Sequence, residues 1–161
     1  MILYIVRHAW AEERDDQRWA DDGLRPLTQK GITRFRRVAK RLVNRGVTPT
    51  FVLSSPLVRC AETAQILCNR LEIREPEFLD ALAPGAELAN VLAAAARYDA
   101  VEVAWVGHAP DVGRLVAALI GRGEASIEMA KGAAAAIEFD GPPEAGRGRL
   151  LWLVTAKMLG C

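Results

Sequence analysis

Leu3-Tyr4-Ile5-Val6-Arg7-His8 is the stretch of this 161-residue chain that decides its fold. The apolar part of the stretch is β-branched and aromatic, which predicts a strand buried on both faces. Such strands are typical of parallel sheets in α/β proteins, where ligands bind beyond the carboxyl ends of the strands. Arg7 and His8 follow directly at the end of this strand, so they are the first candidates for a functional site.

The same arrangement recurs twice along the chain. Val101–Val106 is a second apolar run, and one glycine separates it from His108, the only other histidine. Phe51-Val52-Leu53 runs into two serines and a proline, and Arg59 follows one helical turn later. If the three strands are parallel, two imidazoles and two guanidiniums meet at one edge of the sheet. That set would form a compact site for an oxyanion.

Strands alternate with helical patterns over the whole chain, which predicts an α/β fold in a single domain, residues 1–161. Thr28 is a good N-cap for the first helix and Gly46 stops it. The predicted strands are 2–6, 51–54, 78–79, 101–106, 133–139 and 150–154, and the predicted helices are 29–45, 57–71, 86–97 and 110–120. Long loops are predicted at 9–27 and 140–148. We expect a three-layer α/β/α sandwich whose mostly parallel sheet carries an antiparallel edge strand.

Composition narrows the function classes. The 21 basic and 20 acidic side chains give a net charge of +1, which argues against nucleic acid or a membrane as a general partner. No apolar stretch approaches the ~18 residues of a membrane span, and the N-terminal run is too short for a signal peptide. The three cysteines show no pairing pattern, which favours a reducing compartment. These features together predict a cytoplasmic protein.

The residues at the predicted strand ends suit phosphoryl chemistry. A neutral histidine is a nucleophile toward phosphorus, and nearby guanidiniums disfavour its protonated form. The same guanidiniums make charge-assisted hydrogen bonds with phosphoryl oxygens. Any one of these residues alone is more often an ordinary loop residue or surface charge. Their joint position at three strand ends indicates phosphoryl transfer, which needs mainly positioning and charge stabilisation.

Four segments resemble motifs of the histidine phosphatase superfamily, which has the phosphoglycerate mutase-like fold. Arg7-His8-Ala9 is similar to the first motif, and Val106-Gly107-His108-Ala109-Pro110 to the one around the second histidine. Between them, Ser54–Ala64 is similar to the pattern Ser-x-x-x-Arg-Ala-x-x-Thr-Ala. Arg25-Pro26-Leu27-Thr28-Gln29-Lys30-Gly31 resembles a segment of the short SixA-type phosphohistidine phosphatases.

The resemblance implies a role for each matching residue. His8 would be the nucleophile that becomes phosphorylated, and Arg7 and Arg59 would bind the phosphoryl oxygens. His108 would donate to those oxygens in the transition state, and Arg25 would be an additional substrate-binding residue. Neither a metal nor another cofactor is implied, and the sequence has no acidic cluster that suggests a metal site.

The chain departs from the superfamily pattern at two positions. Cys60 replaces the usual alanine of the second motif; because both residues are small, we expect little consequence. Ala81 stands where larger members carry a glutamate that protonates the leaving oxygen. Asp80 is the candidate general acid in its place, and Glu87 lies nearby in the sequence.

The absence of the usual glutamate affects which substrate we expect. An oxygen leaving group needs protonation, whereas the imidazole of a phosphohistidine leaves more easily. We therefore expect a phosphohistidine-bearing protein as the partner, and protein phosphohistidine phosphatase as the activity. One alternative is a phosphomonoesterase that acts on a small phosphorylated substrate and uses Asp80 as the acid. The other is a non-catalytic, phosphate-binding regulatory protein.

The predicted first helix carries a row of basic residues. Lys30, Arg34, Arg37, Arg41 and Arg45 fall on one side of it. The simpler interpretation is the solvated face of an amphipathic helix, which we favour. The alternative is a docking surface for an acidic phosphoprotein domain.

Overall fold

The computed structural model describes residues 1–98, 100–121 and 125–161. Strands and helices alternate along the chain. The strands are β1 (Ile2–Arg7), β2 (Phe51–Ser54), β3 (Glu77–Phe78), β4 (Glu102–Gly107), β5 (Ala134–Glu138) and β6 (Arg149–Val154). The helices are α1 (Gln29–Val43), α2 (Val58–Leu71), α3 (Leu88–Ala95) and α4 (Asp111–Ile120), with short 3-10 turns at Asp22–Leu24 and Asp80–Leu82.

The six strands form one mixed sheet in the order β3-β2-β4-β1-β5-β6. The first four are parallel, whereas β5 runs antiparallel to both β1 and β6. The α/β fold is therefore confirmed, and the final β5–β6 hairpin lies at one edge of the sheet, as the sequence predicted. Arg7 pairs with Gly107 and Ser54 with Val106, so β1, β4 and β2 end at the same level.

Two hydrophobic clusters, one on each face of the sheet, produce the three layers. Successive side chains of β1 point to opposite faces. Tyr4 and Val6 join the cluster that contains the buried residues of α1 and α2. Leu3 and Ile5 join the cluster that contains those of α3 and α4. Burial of each such aliphatic side chain contributes about 1.5–3 kcal/mol, and both faces of the sheet depend on it.

The helix ends differ slightly from the sequence prediction. α1 ends at Val43 rather than at Arg45, although Gly46 does adopt a left-handed backbone (φ +86°) just beyond. α3 covers only Leu88–Ala95 of the predicted 86–97. Gly85 adopts a left-handed backbone (φ +90°), and α3 begins only beyond this turn. No helix among the described residues is long and apolar enough to cross a bilayer.

The long loop after β1 folds back on itself and is held close to the strand ends. The backbone N–H of Thr28 donates to the carbonyl of Trp10 over 2.9 Å. A side chain at Gly31 would collide with that same carbonyl, so glycine lets the loop lie against the first turn of α1. The carboxylate of Glu62, on α2, accepts from the N–H of Leu27. These contacts bring the end of the loop, including Arg25, over the N-terminal half of α2.

Candidate active site

The two histidines meet at the carboxyl edge of the sheet. His8 is the first residue after β1 and His108 is the first after β4. The backbone N–H of His8 donates to the carbonyl of Gly107 over 3.0 Å, which ties the two strand ends together. The ring centroids lie 5.6 Å apart with an angle of 58° between the planes, and both residues are buried. One tetrahedral group can therefore contact both imidazoles.

His8 is oriented by its own neighbour. Its Nδ1 lies 2.7 Å from the carbonyl oxygen of Ala9, so Nδ1 carries the proton and donates it. The lone pair is then on Nε2. Burial lowers the pKa of His8 to about 3; the Ala9 hydrogen bond opposes this, while the charges of His108, Arg59 and Arg7 add to it. The ring is therefore neutral at physiological pH, as a nitrogen nucleophile must be.

His108 is positioned by a serine. Its Nε2 lies 2.8 Å from the Ser55 hydroxyl, and the thiol of Cys60 lies 3.5 Å from the same nitrogen. Burial, followed by the charge of Arg59, lowers the pKa of His108 to about 4, although the charges of Asp111 and Asp22 oppose the shift. Ser55 thus engages Nε2 of His108, and the Cys60 sulfur also lies 3.8 Å from its Nδ1. The Ser-Ser-Pro run was recognised in the sequence, but the contact of Ser55 with His108 was not.

Arg7 and Arg59 place guanidiniums beside the two rings, and Arg59 is buried whereas Arg7 is half-buried. Arg7 Nη1 donates to the carbonyl of Met129 over 2.7 Å. Arg59 Nη1 donates to the backbone carbonyl of Asp22 over 2.8 Å, and its Nη2 lies 3.1 Å from the Asp22 carboxylate. Burial lowers the pKa of both arginines, yet a guanidinium remains charged. Among the described residues, the Nε of each is buried without an acceptor, which an oxyanion would supply.

Asp22 is a site residue that the sequence analysis missed. Its carboxylate bridges two arginines, accepting from Arg25 Nε over 2.9 Å and pairing with Arg59. The hydrogen bond from Arg25, more than any other contact, holds the pKa of Asp22 below its ordinary value. Asp22 is therefore an ionised positioning group and a poor general acid. The i, i+3 spacing of Asp22 and Arg25 was the available signal.

Arg25 lies close enough to the site for its charge to help lower the pKa of His108. Besides bonding to Asp22, its Nη1 donates to the carbonyl of Glu12 over 2.8 Å. Within the described residues, the Asp22 carboxylate connects Arg25 to Arg59. The predicted role of Arg25 as a substrate-binding residue stays a prediction.

A buried threonine locks α2 to the loop after His8. The Thr63 hydroxyl accepts from the N–H of Ala9 over 3.0 Å and donates to the carbonyl of Arg59 over 2.7 Å. This one side chain therefore connects the residue after the candidate nucleophile with the backbone of the candidate phosphate ligand. The threonine of the second sequence motif thus has a structural role.

Asp80 begins a 3-10 turn at the same edge of the sheet. The N–H of Leu79 donates to the carbonyl of Ser54 over 2.9 Å, and the turn packs beside Gly107. The Asp80 side chain is exposed and makes no hydrogen bond or ion pair within the described part of the chain. The structure thus places Asp80 near the strand ends, and its role as the general acid remains a prediction.

Cys60 lies in the candidate site, where its sulfur contacts the ring of His108. Burial raises the pKa of its thiol to about 12, so the residue is an uncharged neighbour of the ring. The expectation of little consequence stays a prediction. Over residues 1–98, 100–121 and 125–161, no three side chains of His, Cys, Asp or Glu are grouped to hold a metal.

The lowered pKa values of the two histidines make a direct prediction. In the ligand-free protein, neither ring should titrate near the ordinary value of about 6.5, because protonation would place a charge in a buried site beside guanidiniums. Two histidines give two resolvable Cε1–H signals in NMR spectra. We expect both shifts to stay constant from about pH 8 to about pH 5.5, while the urea-unfolded chain titrates normally. A folded-state midpoint near 6.5 for either ring would contradict this description.

The site joins two neutral imidazoles with the buried guanidinium of Arg59 and the half-buried one of Arg7 at the carboxyl edge of an α/β sheet, an arrangement suited to binding a tetrahedral oxyanion. Comparison with known proteins agrees. Residues 3–138 match the family model described as histidine phosphatase superfamily, branch 1. The chain belongs to the histidine phosphatase superfamily, and its family and fold support a phosphatase.

Individual relatives place the chain near the SixA proteins. It is 31% identical to phosphohistidine phosphatase SixA of Escherichia coli, over 94% of this chain and 92% of that protein. A structure of the protein histidine phosphatase SixA complexed with tungstate superposes with a TM-score of 0.84 at 29% identity, covering 99% of both chains. An uncharacterized protein of Picosynechococcus sp. is 40% identical over 74% of this chain and 73% of its own length. The predicted superfamily and SixA-like fold are confirmed.

Proposed function

We propose that this protein removes phosphoryl groups from protein phosphohistidine through a phosphohistidine intermediate on His8. The observation that carries the proposal is the neutral His8 ring, fixed through Nδ1 by Ala9, beside His108. The SixA relative from Escherichia coli, named a phosphohistidine phosphatase, supports it. So does the tungstate complex of a SixA structure, because tungstate is a tetrahedral oxyanion.

In the first step, Nε2 of His8 attacks the phosphorus of the substrate. A new N–P bond forms while the N–P bond to the substrate imidazole breaks, and the departing ring nitrogen takes up a proton from solvent. Arg7, Arg59 and His108 donate to the phosphoryl oxygens, whose charge they stabilise throughout the transfer. The guanidiniums supply the positive charge that such a transfer needs, so no metal or cofactor enters the scheme.

In the second step, water attacks the phosphorus of phosphorylated His8. The bond between Nε2 and phosphorus breaks, inorganic phosphate leaves, and the neutral ring of His8 is restored. Because Nδ1 stays bonded to Ala9 in both steps, the ring returns to the same tautomer.

The properties of the two candidate general acids, Asp22 and Asp80, suit a substrate whose leaving group is an imidazole better than one whose leaving group is an alkoxide. General acid catalysis contributes typically ~10²–10⁴ in rate where a leaving oxygen must be protonated. Asp22 is held ionised by Arg25, and Asp80 is exposed with no positioning hydrogen bond in the described residues, so neither carboxyl is built as an efficient proton donor. A protonatable imidazole needs less help. This difference supports an N–P bond as the scissile bond.

A substrate panel with two matched variants tests the proposal. The panel contains a phosphohistidine protein, sugar phosphates and nucleotides, and the variants Asp80→Asn and Glu87→Gln each remove one exposed carboxylate from the same loop. We expect the highest kcat/KM on the phosphohistidine protein. Asp80→Asn should slow oxygen esters ~10-fold or more while leaving phosphohistidine within about 2-fold. Glu87→Gln should change neither.

The other outcomes of the panel decide against the proposal in distinct ways. Much faster cleavage of a sugar phosphate, dependent on Asp80, would identify a small-molecule phosphomonoesterase. Binding of inorganic phosphate without turnover of any substrate would identify a regulatory phosphate-binding protein.

A further inference from the structure

Helix α1 exposes a positively charged surface that has no role in the proposed catalytic steps. Residues 28–46 contain seven basic side chains and no carboxylate. Arg34 is half-buried, since it stacks 4.1 Å from the Trp10 ring and donates to the carbonyl of Cys161. The other six are exposed, and we call them the basic face: Lys30, Arg36, Arg37, Lys40, Arg41 and Arg45.

The charges of the basic face are not neutralised within the described residues. None of the six is within 4.0 Å of a carboxylate in residues 1–98, 100–121 and 125–161, whereas exposed Arg149 pairs with Glu138 over 3.1 Å. Since the chain has 21 basic and 20 acidic side chains in all, the remainder carries 14 basic against 20 acidic ones. Although the net charge of the chain is near zero, positive charge is concentrated in residues 28–46 and the rest of the chain is net acidic.

The basic face is not needed to hold α1 in place. Buried Phe35, Val38 and Leu42 anchor the helix to the sheet, and Thr28 caps it through the N–H of Gly31. Exposed helix faces that only need solvation usually mix both signs of charge, because opposite charges at i, i+4 stabilise the helix. Like charges at that spacing, as in Arg36 and Lys40, oppose it. The pattern therefore works slightly against stability, which favours a functional explanation.

The basic face begins beside the candidate active site. α1 starts four residues after Arg25, and Arg25 is connected to Arg59 through Asp22. At 1.5 Å per residue, Lys30 to Arg41 spans about 16 Å along α1, and Arg45 follows just beyond the end of the helix. A typical protein–protein interface covers about 800 Å² on each partner. A protein whose phosphorylated side chain enters the site can thus also cover the basic face.

We propose that the basic face of α1 docks an acidic surface of the phosphohistidine-bearing protein substrate; this inference rests on the proposed function. Charge complementarity of this kind acts mainly on the association rate. A protein suits this surface better than a membrane, because the apolar side of α1 is buried in the core and unavailable to lipid. It also suits it better than single-stranded nucleic acid, since the one aromatic residue of α1, Phe35, is buried and unavailable for base stacking.

The experiment compares two substrates and two charge-matched variants. The substrates are an acidic protein domain phosphorylated on histidine and free N-phosphohistidine. The variants are Lys40→Glu/Arg41→Glu on the basic face and Arg97→Glu/Arg147→Glu elsewhere, each of which changes the net charge by the same amount. All four replaced residues are exposed and lie outside the catalytic set.

We expect the α1 variant to lose ~10-fold or more of kcat/KM on the phosphodomain at about 50 mM salt. The difference should shrink to within about 2-fold at about 0.5 M salt, where exposed charges are screened. The control variant should match the wild type on the phosphodomain, and all three proteins should cleave free N-phosphohistidine equally.

Each other result overturns the inference. Equal kcat/KM of both variants and the wild type on the phosphodomain would remove the docking role while leaving the phosphatase intact. Loss confined to binding of RNA or of vesicles containing an anionic lipid, with phosphodomain kinetics unchanged, would assign the basic face to those ligands instead. If no protein of the set cleaves either substrate, the proposed function itself has failed.

Discussion

The variant His8→Ala should lose at least about 10⁴-fold of kcat on the phosphohistidine substrate, since the removal of a nucleophile that acts with its partners as a unit leaves little activity. The structure explains the expected size of the effect. The ring is buried, neutral and fixed through Nδ1, so its Nε2 lone pair is held ready to attack. Among the described residues there is no second histidine beside it except His108, whose Nε2 is engaged by Ser55.

A binding measurement distinguishes lost chemistry from lost folding. His8→Ala keeps Arg7, Arg59 and His108, so it should still bind inorganic phosphate or tungstate within about 10-fold of the wild type, because most charge-assisted donors remain. Far-UV circular dichroism checks the fold. Turnover by His8→Ala at more than about one hundredth of the wild-type rate would contradict the assignment of the nucleophile.

The second large effect is expected at Arg59, in the variant Arg59→Met. Methionine fills a similar volume but removes a buried guanidinium that, in the proposed mechanism, donates to the phosphoryl oxygens. Loss of one such donor typically costs ~10²–10³ in kcat. Arg59→Lys should recover only part of the activity, because an ammonium group cannot make the forked contact with Asp22 and an oxyanion together. Steady-state kinetics of both variants on the phosphohistidine substrate would measure the effect.

Helix α2 supplies the matched control. Arg70→Met removes an equal charge from the same helix, but Arg70 is exposed and, within the described residues, its side chain bonds only to that of Asn44. We expect its kinetics to stay within about 2-fold of the wild type, as for most surface substitutions. If Arg59→Met and Arg70→Met behaved alike, Arg59 would not be a phosphate ligand.

Local pattern was enough to predict where the catalytic side chains meet. The apolar runs before His8 and His108 specify parallel strands, and parallel strands end at a common edge. The structure shows the two strands paired as direct neighbours, which the sequence could not specify. Strand order depends on packing across the whole sheet, as the inner position of antiparallel β5 also illustrates.

The supporting contacts of the site could not be predicted from the sequence. The carboxylate of Asp22 reaches Arg59, 37 positions further on, only because the loop after β1 folds back over α2. Ser55 meets His108 because β2 and β4 are adjacent and end at the same level. Such contacts between distant segments follow from tertiary structure, whereas local propensity predicts only the elements that carry them.

The covalent state of the enzyme during turnover shows whether His8 is the nucleophile. The wild-type protein is mixed with the phosphohistidine substrate, quenched at alkaline pH where an N–P bond survives, digested, and examined by mass spectrometry. We expect one added phosphoryl group on the peptide containing His8, lost after brief acid treatment. A phosphoryl group on His108, on a serine or on Asp80, or turnover with no phosphorylated enzyme at any reaction time, would contradict it.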